Sequence, residues 1–354
     1  MRILHLASGR EWRGGQRQTW LLARELSGVE GIEQVVVTAR GSELARRLLQ
    51  DSVPVREVSW RIGVDPRAGL VAWQAARNAD LLHAHDAHAV AIAAAVSRIT
   101  GKPFVATRRM ARLLKASKPW QQAVKVIAIS DAVRASLVQS RIDSARIEVI
   151  PPAIDVSSTS ETDPESWERL PRIPPDAPIA VAISALTAEK GIDILIEAAA
   201  QLHDRCPRLH WIIAGAGPER EALAALAGAL ESDPYVHFLG YLGDPLPVIA
   251  GATVLVVPSR EEGFGSVILD GLALGTPVVA TAVGGIPDAL ARGGGMLVPA
   301  HDPVALAQAV ERLVNDPNRR RQLSAQGREA AQSFDLGPMV KRVAALYRSV
   351  KGVD

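Results

Sequence analysis

The chain has 354 residues, 48% of them apolar and only 4% aromatic, with a formal net charge of +2. That length exceeds one ordinary core and suits two domains of roughly 150–200 residues each. So small a charge, with no RNP-type aromatic motif or zinc-finger spacing, argues against nucleic acid as a partner, and the lone Cys206 excludes an intramolecular disulfide and fits a reducing compartment.

The chain opens with MRILHLASGR, a strand-like run with no h-region or cleavage site, and no segment reaches ~20 uninterrupted apolar residues. A cytoplasmic protein that can touch the inner face of a membrane but does not cross it is expected. RILHLAS, the glycine-bearing loop GREWRGGQRQ and the helically spaced TWLLARELSG form a β-loop-α opening. QVVVTA, DLLHAH, PFVATR, KVIAIS and IEVIPP then recur as buried-strand runs between helical segments such as SELARRLLQ and HAVAIAAAVSRIT. This alternation predicts an α/β fold with a parallel sheet and crossover helices. Between Asp86 and Asp131 no acidic residue occurs, while Arg98, Lys102, Arg108, Arg109, Arg112, Lys115, Lys118 and Lys125 do. Such a stretch is either a solvated basic face or a site for phosphates or an anionic membrane surface.

Residues 156–175, rich in proline, serine and acids, read as a linker with one short helical stretch. Alternation restarts beyond it with IAVAIS, IDILIEAAAQLHD, LHWIIAG, PEREALAALAGAL, VHFLG, ATVLVVPS, PVVAT and GMLVP. The expected organisation is a Rossmann-like domain over 1–155, a second over 176–335, and a helix near 336–350 that could pack back onto the first. Ligands of open α/β sheets bind outside the carboxyl ends of the strands, so a cleft faced by both sheets is the expected site.

The stretch REEGFGSVILD places a strand before the loop and Ser266 where an N-cap would stand. Free N–H groups of a first helical turn form an anion site, and two glycines allow close backbone approach. Glu262 before that site and Asp270 behind it suit hydroxyl donors, which sugar diols supply in pairs. A ligand with sugars on both sides of a phosphate group is a nucleotide sugar.

PSREEGFGSVILDGLALGTPVVAT resembles the signature of family-four retaining glycosyltransferases, which carry an acid, seven residues and a second acid in the two-Rossmann GT-B fold. ISALTAEKGIDILIEA, WIIAGAGPEREAL, VHFLGYL, WRGGQRQ and VIPPAID are similar to that family's other blocks, in the same order. The resemblance implies a metal-independent, cofactor-free transferase. Its nucleotide-diphosphate sugar lies in the C-terminal domain and its acceptor on the N-terminal one, where the basic stretch from Arg98 to Lys125 favours a glycan or lipid-linked acceptor of the cell envelope over a solvated face beside a small soluble acceptor. By position, Glu262 meets donor-sugar hydroxyls, Asp270 the ribose, and Lys190 the diphosphate. Gly263, Phe264, Gly265 and Ser266 line phosphate and sugar through their backbone, Gly14 and Gly15 admit the diphosphate, and Tyr241 and Leu242 border the base.

The chain departs from the family pattern in three respects. Ser184 and Ala185 replace Gly-Arg, removing one expected cation; Asp270 replaces the usual Glu; and Arg108 and Arg109 stand where many members carry a His. Arg109, Arg13 or Arg17 could supply the missing guanidinium, since diphosphate recognition needs charge and fork geometry rather than one chain position. The alternatives are a catalytically degenerate module that binds glycan or protein and a sugar-nucleotide epimerase on the same scaffold.

HAHDAH invites a metal reading through His83, His85, Asp86 and His88, but its spacing does not fit known ligand patterns. Strand-end imidazoles that hydrogen-bond are expected instead, with His85 lining the cleft near a sugar. GAGPER lacks the third glycine of a dinucleotide fingerprint, and GREWRGGQ lacks the Lys-Ser/Thr of a P-loop. Trp12 and Trp120 are candidates for stacking on a sugar or sitting at a membrane interface.

Overall fold

A computed structural model describes residues 1–60, 63–165 and 173–352. Two units emerge: Met1–Ala153 with Asp335–Asp354, and Ile154–Phe334. In the first, β1 (Arg2–Ala7), β2 (Glu33–Ala39), β3 (Val55–Val58), β4 (Leu81–Ala84), β5 (Phe104–Arg108), β6 (Lys125–Ala128) and β7 (Ile147–Val149) form a parallel sheet of order β3-β2-β1-β4-β5-β6-β7. β4 and β5 are buried along their whole length, as continuous apolar runs covered on both faces should be. Pattern reading missed β3, because this edge strand turns Arg56 and Glu57 to solvent and so shows no buried run.

Helices α1 (Gly14–Leu26), α2 (Glu43–Gln50), α3 (Pro66–Ala76), α4 (Ala87–Thr100) and α5 (Asp131–Gln139) supply the crossovers. Their starts follow local chemistry: Ser42, Asp65, Asp86 and Ser130 each accept a hydrogen bond from a first-turn N–H.

The second unit begins with the short α6 (Val156–Ser160), and the rest of the expected linker lies partly outside the described residues, at 166–172. β8 (Ile179–Ile183), β9 (His210–Ala214), β10 (Val236–Gly240), β11 (Val254–Val257), β12 (Val278–Thr281) and β13 (Gly295–Val298) pair in the order β10-β9-β8-β11-β12-β13, all parallel. α7 (Ile192–Leu202), α8 (Arg220–Ala229), α9 (Leu246–Ala250), α10 (Ser266–Leu274), α11 (Ile286–Leu290), α12 (Pro303–Asn315) and α13 (Pro317–Gln332) connect or follow these strands. α7 and α12 pack a shared core with Trp211 and Ile213 of β9.

The last helix, α14 (Leu336–Lys351), packs on α1 within the first unit. Its Val340, Val343, Ala344, Leu346 and Tyr347 share a core with Ile3, Leu22, Leu26 and Val105. Each large apolar side chain buried there contributes about 1.5–3 kcal/mol. Arg342 Nη2 donates to Val149 O at 2.6 Å, and Lys351 Nζ pairs with Asp80 Oδ1 at 2.9 Å. Each sheet runs outward from its first strand and returns on the other side, β1/β4 in one unit and β8/β11 in the other. Those reversals are the switch points where open α/β sheets bind ligands.

Candidate functional site

In the second unit, the loops after β8 and β11 meet at the carboxyl end of the sheet. Lys190 Nζ and Glu262 Oε2 form an ion pair of 2.6 Å, with side chains 23% and 17% exposed. Glu262 Oε1 accepts from Gly263 N at 3.0 Å, so the carboxylate is committed to its own loop and to the lysine rather than to capping α10. Backbone packing fixes this position: a Cβ on Gly284, whose φ is +54°, would lie 1.7 Å from Glu262 O. Arg260 braces the loop from below by a bidentate pair with Asp193.

The cap expected at Ser266 lies one residue earlier. Gly265, at φ +81°, is the N-cap, and Ser266 is the first residue of α10. A left-handed cap suits glycine, and with no side-chain cap the first-turn N–H groups of α10 accept no help from a side chain. The Phe264 side chain is 2% exposed and packs edge-on against Phe334 at 5.6 Å, leaving the backbone as what this residue offers a ligand. Asp270 is buried, at 2% exposure, one helical turn behind Ser266. Tyr241, 57% exposed, and half-buried Leu242 follow β10. The loops after β8 and β9 touch through glycine, since a Cβ on Gly217 would lie 2.2 Å from Leu186 O. Ser184 Oγ and Thr187 Oγ1 are buried there without a hydrogen-bond partner among the described residues.

In the first unit, Gly14 and Gly15 open α1, whose N-cap Arg13 makes no side-chain cap and whose first turn holds no acid. Arg109, which follows β5, lies against this turn: its Cδ is 3.3 Å from where a Cβ on Gly15 would be. Its Nη2 reaches Thr19 Oγ1 only at 3.5 Å, and its Nε is shut off from water with no partner among the described residues. Burial pulls this guanidinium down to about 10, opposed by Asp86. Arg108 turns the other way, with Nη2 on Arg112 O at 2.8 Å and its guanidinium 5.7 Å from the Trp120 ring. Arg13 pairs with Glu11 at 2.6 Å in solvent, and half-buried Arg17 stands in the first turn of α1.

HAHDAH divides. Asp86 caps α4, accepting from Ala89 N, and also accepts from Ser8 N and Oγ, both at 2.6 Å. His88 lies over Gly63. His83 and His85 turn inward and meet His5, a partner that sequence spacing could not nominate because β1 and β4 are neighbours only in the sheet. His83 Nδ1 bonds Tyr347 Oη at 2.5 Å and its Nε2 bonds Thr107 Oγ1 at 2.7 Å. His5 Nδ1 bonds His85 Nε2 at 2.9 Å, leaving His5 Nε2 and His85 Nδ1 buried without partners among the described residues. Burial drives all three imidazoles towards neutrality, His5 down to about 3.

Proton counting follows. Whichever ring donates, a neutral His5–His85 pair leaves one orphan N–H and one orphan lone pair. The three residues offer nitrogens within 4.8 Å of one another, a spacing that could hold a metal ion. An ion on the two facing nitrogens would push both protons outward and leave two orphan donors instead of one, beside the cationic Arg109. Hydrogen bonding is therefore the better account of these imidazoles.

Trp120 is 3% exposed and therefore unavailable to a sugar or a membrane, contrary to the sequence expectation. Trp12 packs edge-on against Trp20 with the Arg47 guanidinium 4.5 Å from its ring centre.

Residues 163–330 match the family model for glycosyl transferases group 1, and residues 12–158 that for glycosyltransferase family 4. The chain is 32% identical over 311 residues to D-inositol 3-phosphate glycosyltransferase 1 of Catenulispora acidiphila, spanning 76% of this chain and 72% of that protein. A D-inositol 3-phosphate glycosyltransferase of Frankia alni is 30% identical over 305 residues, 76% of this chain and 74% of that one. Among solved structures, Anabaena HepE in complex with UDP and glucose superposes with a TM-score of 0.88 at 22% identity, covering 99% of this chain and 100% of that one. Sucrose-phosphate synthase from Thermosynechococcus elongatus gives 0.80 at 21%, covering 99% and 98%. At such identities the structural likeness speaks for the fold.

Proposed function

The chain belongs to the group 1, family 4 glycosyltransferases of the GT-B fold, and from that premise we propose that it moves a sugar from a UDP-sugar to a cell-envelope glycan or lipid-linked sugar, with retention of anomeric configuration. The Lys190–Glu262 pair carries this reading. It sets one cation and one carboxylate 2.6 Å apart at a switch-point loop, beside the uncapped N-terminus of α10.

In this reading an acceptor hydroxyl oxygen bonds to the anomeric carbon as the bond from that carbon to the diphosphate oxygen breaks. The hydroxyl proton passes to the departing phosphate on the same face. Lys190, the backbone of the loop Gly263, Phe264 and Gly265, and the first-turn N–H groups of α10 from Ser266 on meet the negative charge that develops on the diphosphate. A cation placed there contributes most in the transition state, and the reading assigns it to Lys190 without a divalent ion. Glu262 accepts from donor-sugar hydroxyls, Asp270 serves the ribose, and Tyr241 with Leu242 borders the base. Arg109 replaces the guanidinium missing at Ala185, Gly14 and Gly15 admit the diphosphate, and Arg13, Arg17, Arg108 and His85 belong to the acceptor half. The UDP-bound relatives support the choice of base. Among the described residues no helix is long and apolar enough to cross a membrane, and we place the reaction in the cytoplasm.

The test is a thermal-shift panel of UDP, UDP-glucose and other sugar nucleotides on wild type and Glu262→Ala. A donor at about 100 times its Kd stabilises the fold by about 2.7 kcal/mol. One sugar nucleotide should exceed UDP in wild type, and the excess should vanish in the variant. A flat panel removes the donor-site reading.

A further inference from the structure

We propose that residues 110–118 of the N-terminal unit form a docking surface for an anionic lipid bilayer. The segment joins β5 to the Trp120 turn and has no regular secondary structure before residue 118. Met110 and Leu113 are 49% and 59% exposed, and Arg112, Lys115 and Lys118 are exposed beside them. No acidic residue occurs from 87 to 130.

The exposure does not come from a slack loop. Arg112 O accepts from Arg108 Nη2 at 2.8 Å, Leu114 N donates to Ser140 Oγ at 3.0 Å, and Lys118 O accepts from Gln122 Nε2 at 3.1 Å. The backbone is thus tied at three points while two large apolar side chains remain in water.

Single exposed apolar residues are ordinary on protein surfaces. Two within four residues, interleaved with cations and free of acids, match what the boundary between headgroups and acyl chains accepts: apolar tips below and ammonium groups at the phosphate level. A soluble polyanion would use the cations and gain nothing from Met110 and Leu113, so a bilayer is the better fit. The segment begins one residue after Arg109, which lies against Gly15. A bilayer held here would therefore present a lipid-linked sugar to the acceptor-side residues; that last step rests on the proposed transfer reaction, whereas the docking does not.

The test uses the full chain with two vesicle preparations, phosphatidylcholine alone and phosphatidylcholine with about a third phosphatidylglycerol. Cosedimentation should favour the anionic vesicles at least about tenfold and weaken as salt rises. Lys115→Gln and Lys118→Gln should each lower the partition coefficient about fivefold. Met110→Ser with Leu113→Ser should lower it by about tenfold or more with an unchanged Tm. Equal binding to both vesicles, indifference to these substitutions, or retention on soluble polyphosphate without vesicle binding would each overturn the proposal. Vesicle binding by a protein that transfers no sugar leaves the docking standing and removes the transfer reading instead.

Discussion

The two units place opposite chemistry at equivalent places. At the β8/β11 switch point the second unit holds a formal ion pair, Lys190 and Glu262, with both side chains still partly in solvent. At the β1/β4 switch point the first unit holds three imidazoles stripped of charge by burial, with Arg109 beside them. One place therefore keeps its groups charged, whereas the other favours neutral hydrogen bonding beside the Arg109 guanidinium. The same fold carries both because the side chains at strand ends, not the sheet, set the electrostatics.

The largest expected effect falls on the charged end. Lys190→Ala should lower kcat/KM about 10²–10³-fold, as losing one charge-stabilising donor does in other enzymes. Glu262→Gln keeps an acceptor but loses the charge and should fall in the same direction by less. Under the proposed function Arg109→Ala should cost about tenfold, because its guanidinium is only weakly held, 3.5 Å from Thr19 Oγ1. If Arg109→Ala costs as much as Lys190→Ala in steady-state kinetics, the division between a charged and a neutral end collapses.

Legibility in the sequence divided along the same line. The second unit's site is written in contiguous blocks, ALTAEKG and REEGFGS, because each loop brings its own residues to the strand end. The cap stands at Gly265 rather than at Ser266, since a left-handed cap and a side-chain cap look alike until φ is known. The first unit's cluster draws His5, His83, His85, Thr107 and Tyr347 from four elements, and Tyr347 lies 264 residues from the histidine it bonds. Short-range spacing carries no signal for that arrangement. The parallel strands were plain where both faces are covered and invisible at edge strand β3, where half the side chains face water.

Backbone contacts at the charged end give the next effect. A Cβ on Gly284 would meet Glu262 O at 1.7 Å, too close for relief by a side-chain rotation. Gly284→Ala should destabilise by about 3 kcal/mol in urea unfolding and displace Glu262. Gly337→Ala, in the first turn of α14 with nothing within 4 Å of the new methyl, should instead gain about 0.5–1 kcal/mol. Equal effects at both positions would mean that the close approach does not hold the Glu262 loop.

Acid should act on the neutral end. A histidine whose folded pKa lies below its unfolded value of about 6.5 binds a proton only on unfolding. Its contribution is therefore complete above about pH 6.5 and is lost as pH falls towards the folded value, about 3 for His5. The slope is about 1.4 kcal/mol per pH unit for each histidine that stays neutral when folded. Hydrogen exchange between pH 7 and 5 should show protection falling in β1 and β4 before β8 and β11, and His5→Leu should flatten that slope. Loss of protection first in the second unit would contradict the assignment.

A comparably small effect tests whether the imidazole cluster is held by its bonds or by packing alone. Tyr347→Phe keeps the ring among Ile3, Leu22 and Val105 and removes only the hydroxyl that meets His83 Nδ1. The orphan then has two forms, a buried N–H or a buried lone pair. The Thr107 hydroxyl can accept as well as donate, so it can take the proton of His83 Nε2 and leave the lone pair. Because that is one unpaired acceptor on a neutral ring, destabilisation should be about 1 kcal/mol, at the lower end of the range for an unsatisfied buried group. Urea midpoints measured at pH 8, where His83 is neutral in both folded and unfolded chains, isolate this cost from the acid effect. A loss of several kcal/mol would mean that His83 cannot change tautomer, and that the Tyr347 bond orients the whole imidazole row.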